Sequence, residues 1–404
     1  MALGHLFCAS VLVGITGLSS TALGQAWYVE APLPPGIIAT TASASAADGT
    51  VVVGSGAIQG SPSNTAGIIA RLTAPGVVQT IAYAPPAPYL SCAITAVNSD
   101  GTAFGGWVQA GSGQSRFPAL FSPNTGWLVL GAFPGVNVTG ISEDGQLLMG
   151  QQFVNGEGKA AIFGVGVGGL LSTTTIEGKT IFTSVPEGGV LTLNGYSITG
   201  SATFTDGTSG IVQWFLAPPF AGTQILPKGL DKSIVRAPSS RDGQRLAITY
   251  VHYWPSGSPS SFNVGSVTVG GTDFTFPALG PNDAGHEVNS VTNDGSIMVG
   301  QVYGADNSTR SSVWRSTTRH DLFNLLSSAG AAVNPAQNSI TLASSQTGDL
   351  FVGTVRPTEQ SRRIFFASVT IPANTPDCPA DFNRDGFVDF FDFDDFIGAF
   401  ETGC

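Results

Sequence analysis

Between residues 27 and 371 the chain alternates short apolar runs with polar turns, and one phrase recurs: a polar turn, usually Asp-Gly, three or four apolar residues, then Gly. Full copies open at Asp48-Gly49, Asp100-Gly101, Asp144-Gly145, Asp242-Gly243 and Asp294-Gly295, with weaker ones at Asn194-Gly195 and Gly348-Asp349. The turns fall 44 to 54 residues apart. Asp-Gly and Asn-Gly between apolar runs make hairpins, because their central positions need φ > 0 and these residues accept it cheaply. A second apolar pair follows in most units: 66–70 then 77–81, 119–121 then 127–130, and Val313-Trp314 then 322–326. That gives about four strands per unit. A period of about 50 with four strands predicts propeller blades, each unable to bury both faces alone.

Seven such units predict an all-β, seven-bladed β-propeller over residues 25–371. The lone segment Trp27-Tyr28-Val29 precedes the first turn, and the seventh unit, ending at 364–371, has room to be completed by it. Such a closure hides the two edge strands. A pair of β-sandwiches is the alternative, and it predicts no regular spacing of turns.

Composition agrees. Of 404 residues 42% are apolar, enough for a large core, whereas only 11% are charged, against about 25% in an average soluble domain. With 53 Gly and 25 Pro, the chain suits short strands and tight turns rather than long surface helices. The net charge of −11 is concentrated: residues 374–404 hold eight acids and one base. No basic cluster exists, which excludes nucleic acid and anionic membranes as natural partners.

Residues 1–24 carry an apolar stretch from Leu6 to Leu18, then small residues Ala22 and Gly24. This predicts a signal peptide and a secreted or extracellular protein, possessing no integral membrane segment once mature. In an oxidising compartment Cys378 and Cys404 would pair across the acidic tail, closing a loop of about 27 residues worth about 3–4 kcal/mol. Cys92 is then left as a buried core thiol.

Residues 381–392 carry the most specific motif. Asp381, Asn383, Asp385, Asp389 and Asp392 occupy positions 1, 3, 5, 9 and 12 of a twelve-residue loop, with Gly386 at 6 for the sharp turn and the Phe387 carbonyl at 7. Oxygens so spaced wrap a hard cation, so the expected cofactor is one Ca2+. Phe393, Phe396, Ile397 and Phe400 follow at helical spacing. Pro372 to Pro376 reads as a linker, which makes 377–404 a separate EF-hand-type loop and helix.

Two resemblances follow from these residues. The Asp-Gly phrases over about 40–370 resemble the bacterial extracellular HAF repeat family, which implies a secreted propeller-like body without an assigned chemistry. The tail, from Cys378 to the terminal Gly403-Cys404, resembles type I dockerin modules. Position 12 is Asp where helix–loop–helix sensors have Glu, and one loop stands where dockerins carry two. That resemblance implies a cohesin-like or surface-sorting partner.

Enzyme motifs are sparse. His252, His286 and His320 are isolated, without a second ligand at zinc spacing. No Gly-x-Ser-x-Gly elbow or phosphate loop occurs. Glu157, Glu177, Glu187 and Glu287 are the acids available for a dispersed active site. The expected function is a non-enzymatic propeller that binds a glycan or protein and is tethered through its calcium tail. The alternative is a carbohydrate-active hydrolase or lyase on the same scaffold. An enzyme should gather acids, arginines and aromatics at one mouth of the channel.

Overall fold

A computed structural model describes residues 26–372 except 172–174, 177–178, 193–194, 216–221, 225–232, 237–239, 241–244, 254–258, 269–272, 276–282, 305, 307, 316–317 and 359–360. Through most of 186–197 and 215–282 only backbone pairing is described. The opening strand is β1 (Trp27–Glu30). Six antiparallel sheets then follow, each built from consecutive strands. Sheet 1 is β2 (Ile37–Ser45), β3 (Val51–Ile58), β4 (Ser61–Ala74) and β5 (Val77–Tyr83). Sheet 2 is β6 (Ser91–Val97), β7 (Phe104–Gln109), β8 (Arg116–Ser122) and β9 (Gly126–Val129). Sheet 3 is β10 (Val136–Ile141), β11 (Leu147–Val154), β12 (Glu157–Gly164) and β13 (Val167–Leu170).

Sheet 4 has five strands: β14 (Thr175–Ile176), β15 (Lys179–Thr192), β16 (Gly195–Phe204), β17 (Ser209–Phe215) and β18 (Gly222–Gln224). Sheet 5 is β19 (Ser233–Arg236), β20 (Arg245–Tyr253), β21 (Pro259–Thr268) and β22 (Asp273–Thr275). Sheet 6 is β23 (Asp283–Val291), β24 (Ile297–Gly304), β25 (Thr309–Arg315) and β26 (Thr318–Asp321). After helix α1 (Leu322–Ser328) come β27 (Asn338–Ser344), β28 (Leu350–Thr358) and β29 (Ser361–Ser368). These three take β1 as their fourth strand, with Trp27 opposite Ser368 and Glu30 opposite Phe365.

Each sheet packs on the next, and β2 packs on β29, so the sheets close a ring with no free end. The molecule is therefore an all-β β-propeller and not a pair of sandwiches. First strands of sheets 1, 2 and 3, and of sheet 6 and the closing sheet, touch their neighbours, as β2 touches β6 and β27, which places them innermost. Apolar clusters fill the seams. Val51, Val53 and Ile69 meet Ile94, Phe104 and Phe121 between sheets 1 and 2, and Val52 and Ile68 meet Val352, Ile364 and Phe366 across the closure.

The repeated phrase has a physical reason at each position. Gly49, Gly101, Gly145, Gly295 and Gly348 all have φ near +70°, and the acid beside them closes its own turn. Asp100 accepts from the Thr102 amide at 3.0 Å and its hydroxyl at 2.5 Å, and Asp294 accepts from the Ser296 amide at 3.0 Å. Five residues after each turn glycine stands a second glycine: Gly54, Gly106, Gly150, Gly300 and Gly353. A Cβ there would lie 1.9–2.1 Å from a carbonyl oxygen of the first strand. At the same level that first strand carries a β-bulge, at Ala42/Ala44, Ile94/Ala96, Val138/Gly140, Val288/Ser290 and Thr341/Ala343. The bulge folds a carbonyl toward the second strand, and only glycine leaves room.

A further rule joins the sheets. In four seams a third-strand N–H donates to a side chain on the facing strand of the next sheet, which is that sheet's first strand except in sheet 4, where it is β15. The bonds are Gly67 N to Cys92 Sγ (3.2 Å), Ala160 N to Ser184 Oγ (2.9 Å), Ser311 N to Ser339 Oγ (3.2 Å) and Ile364 N to Thr40 Oγ1 (3.1 Å). Between sheets 2 and 3 the equivalent residues are Pro118, which has no N–H, and Val136, which has no acceptor. Donor and acceptor are thus lost together, as an unpaired buried amide would demand.

One segment departs from the sequence reading. Residues 322–326 are expected to be a strand but form α1. Asp321 caps it by accepting from Phe323 N and Asn324 N, both at 3.1 Å, and Leu322, Phe323 and Leu326 bury one face. The sheet's fourth strand is instead the polar segment β26. Among the described residues no helix is long and apolar enough to cross a membrane.

Candidate functional site

The other described seams mix polar and apolar residues at their inner ends; the seam between sheet 6 and the closing sheet is polar throughout. Its residues come from five equivalent places. Glu287 on β23 pairs across to Gln301 on β24, which pairs to Ser311 on β25, and Tyr303 lies two residues beyond Gln301 on the same face. Thr341 on β27 faces them from the closing sheet. At the same places the seam between sheets 1 and 2 has Thr41, Ser55, Gly67, Ala57 and Ile94, and that across the closure has Ile340, Thr354, Ile364, Arg356 and Ala42.

The polar groups form a chain. Tyr303 Oη donates to Glu287 Oε2 at 2.7 Å, and Gln301 Nε2 donates to the same oxygen at 2.9 Å and to Tyr303 Oη at 2.5 Å. Asn289, the bulge residue, donates through Nδ2 to Gln301 Oε1 at 3.3 Å and to the Thr341 carbonyl at 2.8 Å. Thr95 makes the same crossing from sheet 2, to the Val138 carbonyl at 2.8 Å, so Asn289 serves the ring as well as the seam. Two hydroxyls remain: Ser311 Oγ and Thr341 Oγ1 are buried without a protein partner.

The opposite face of sheet 6 holds an ionic group. The Asp283 carboxylate is 3% exposed and is gripped by Arg310 Nη2 at 2.5 Å and by Arg319 Nη1. His286 is buried beside them, edge-on to Trp314 at 6.0 Å. Burial, and next the Arg319 charge, push its pKa down to about 4, with Asp283 opposing, so it is neutral near pH 7. Burial raises the carboxyl of Asp321, against the α1 amides and both arginines. An acid held by two guanidiniums is a structural knot, since removing either partner leaves a buried charge.

The other sequence candidates are scattered. Glu157 sits by a hairpin turn and pairs with Lys159 at 2.9 Å, which also donates to the Ile181 carbonyl at 2.9 Å. Glu187 lies in β15 and His252 in β20, with their side chains outside the described residues, as is all of Glu177. His320 is on β26, away from His286 in register. Cys92 is fully buried, accepts from Gly67 and donates to the Tyr83 carbonyl at 3.4 Å, and burial pushes its thiol up to about 12. It is a bonded structural thiol. The calcium ligands Asp381, Asn383, Asp385, Phe387, Asp389 and Asp392, the pair Cys378 and Cys404, and the signal 1–24 lie outside the described residues.

Sequence reasoning named Glu287 but missed its neighbours Gln301, Tyr303, Ser311 and Thr341. The signal was present: aligned on the second-strand glycine, only Gly300 is followed by Gln and then, two residues on, Tyr.

No protein-family model matches this chain, and no curated protein matches it. Solved structures do. TolB from Acinetobacter baumannii is 16% identical over 67% of this chain and 62% of that one, with a TM-score of 0.44. The chain thus spans less than two thirds of that protein. The β-propeller domain of the trilobed protease from Pyrococcus furiosus, which has an open velcro topology, is 9% identical over 85% of this chain and 99% of that domain, with a TM-score of 0.53. An oligogalacturonate lyase in complex with manganese is 12% identical over 83% and 92%, with a TM-score of 0.49. At 9% identity the likeness to the Pyrococcus furiosus propeller domain is one of fold alone.

Proposed function

We propose that the chain is a secreted, non-enzymatic binding or structural protein, a ring that becomes seven-bladed when the closing sheet is counted as a blade. It holds a glycan or protein ligand and is tethered to the cell surface or an extracellular assembly by its dockerin-like calcium tail. One observation carries the scaffold reading: the chemistry that repeats is used by the architecture. The repeated aspartates close their own turns, and turn contacts link successive sheets: Ala47 N to Ser99 O at 2.9 Å, Ser99 N to Glu143 Oε2 at 2.9 Å and Gln346 N to Ala47 O at 3.2 Å. What remains for a ligand is the part that does not repeat.

The tether is tested on the full secreted chain by calcium titration calorimetry. Uptake of one Ca2+ is expected, lost in Asp381→Ala and in Asp392→Ala with the ring's melting unchanged; no uptake at millimolar calcium rejects the tether. The carbohydrate-active reading would rest on Glu287 and Tyr303, since Asp283, Arg310 and Arg319 lie on the opposite face of sheet 6. Product release from polysaccharides that vanishes in Glu287→Gln would select it.

A further inference from the structure

We propose that the inner half of the seam between sheet 6 and the closing sheet is a binding site for the hydroxyls of a neutral sugar residue, a proposal that rests on the reading of the ring as a binding protein. Three observations carry it. The first is the break in the repeat. Every other described seam fills these places with at least one of Ala, Gly, Ile, Val or Pro, whereas here all five are polar: Glu287, Gln301, Tyr303, Ser311 and Thr341. Repeats hold their core positions for packing, so a seam that gives up apolar burial at every equivalent place marks a local demand other than stability.

The second is the pair of unpartnered hydroxyls. Ser311 is 1% exposed and Thr341 0%, and neither hydroxyl has a protein partner. Buried polar groups are normally satisfied, and these flank the Asn289–Gln301 amide pair from both sheets. Each hydroxyl can both donate to and accept from a ligand hydroxyl that reaches it.

The third is the chemistry of the wall. Glu287 accepts, the Ser311 and Thr341 hydroxyls offer both senses, and Tyr303 adds an aromatic face beside its hydroxyl. That mixture suits a ring of neutral hydroxyls. A uronate or phosphate would meet the Glu287 side chain.

The test uses the full chain and calorimetric titration with cello-, xylo- and manno-oligosaccharides, and with polyuronate oligomers as the charged arm. Two variants probe the seam: Tyr303→Phe, and the double variant Ser311→Ala with Thr341→Val, which removes both hydroxyls while keeping the volume filled. The expected result is binding of a neutral oligosaccharide that weakens at least tenfold in each variant, with no fall in Tm for the double variant. Equal binding by wild type and variants overturns the site while leaving the ring a binding protein. Tighter binding of the uronates, or no binding of any neutral oligosaccharide, overturns the ligand class. A lower Tm for the double variant with unchanged sugar affinity shows that the hydroxyls serve a structural water, and this also overturns it. Failure of the underlying reading looks different: the oligosaccharides would be cleaved.

Discussion

Gly106→Ala should be among the most damaging single-methyl additions to the ring. The new Cβ would lie 1.9 Å from the Ala93 carbonyl oxygen, 2.9 Å from its carbon and 3.0 Å from Ile94 Cα. All three are backbone atoms, so no side chain can swing aside. A carbon and an oxygen need about 3.3 Å, so β6 and β7 must part by more than an ångström at the bulge. Overpacking costs about 1–3 kcal/mol, and parting the strands breaks about two hydrogen bonds worth about 1 kcal/mol each. The expected loss is about 3–5 kcal/mol. Gly169→Ala is the control: nothing lies within 4 Å of its Cβ, and it should be neutral or stabilising by up to about 1 kcal/mol. Urea unfolding followed by tryptophan fluorescence measures both. With a slope of about 3 kcal/mol/M, Gly106→Ala should lower the midpoint by about 1 M or more. If the two variants share a midpoint, the bulge does not impose the glycine and the account of the repeat is wrong.

The seam rule makes its own demands. Cys92→Ser should stay within about 1 kcal/mol of wild type, whereas Cys92→Val, which strands the Gly67 amide, should cost about 1–3 kcal/mol by the same unfolding assay. Pro118→Ala frees an amide that faces Val136, so Pro118→Ala combined with Val136→Ser should be more stable than the single changes add up to, by about 0.5–2 kcal/mol in a double-mutant cycle. His286 should make the ring acid-sensitive. Its pKa falls from 6.5 unfolded to about 4 folded, so the unfolded chain binds the extra proton and stability is lost as pH drops from about 6.5 toward 4. The slope should approach about 1.4 kcal/mol per pH unit. Melting curves of His286→Phe should lack that slope, and an equal slope in both proteins would remove His286 as its cause.

Much of the ring was legible because its rules are local. An Asp-Gly turn and a glycine five residues later report backbone geometry that neighbours in sequence determine, and among the described residues the turns at Gly49, Gly101, Gly145, Gly295 and Gly348 stand where the phrases predict. The second repeat shows the limit: the phrase ends at Gly105, yet the close approach belongs to Gly106, because the bulge sets the spacing from the turn. Residues 322–326 misled because an apolar run of five fits a strand or a helix, and the Asp321 cap decided it. The seam site was hidden for another reason. Glu287, Gln301 and Ser311 are spread over three strands, and Thr341 lies on the next sheet, so only pairing register brings them together.

The central claim is that this ring holds a ligand without transforming it. The most direct measurement incubates the secreted full chain with insoluble polysaccharides and follows two quantities in one tube: protein retained on the solid, and new reducing ends or unsaturated products in solution. Retention with no product, and less retention in Tyr303→Phe, is the expected result. Steady product formation that disappears in Glu287→Gln would contradict the account and make the polar seam a catalytic centre.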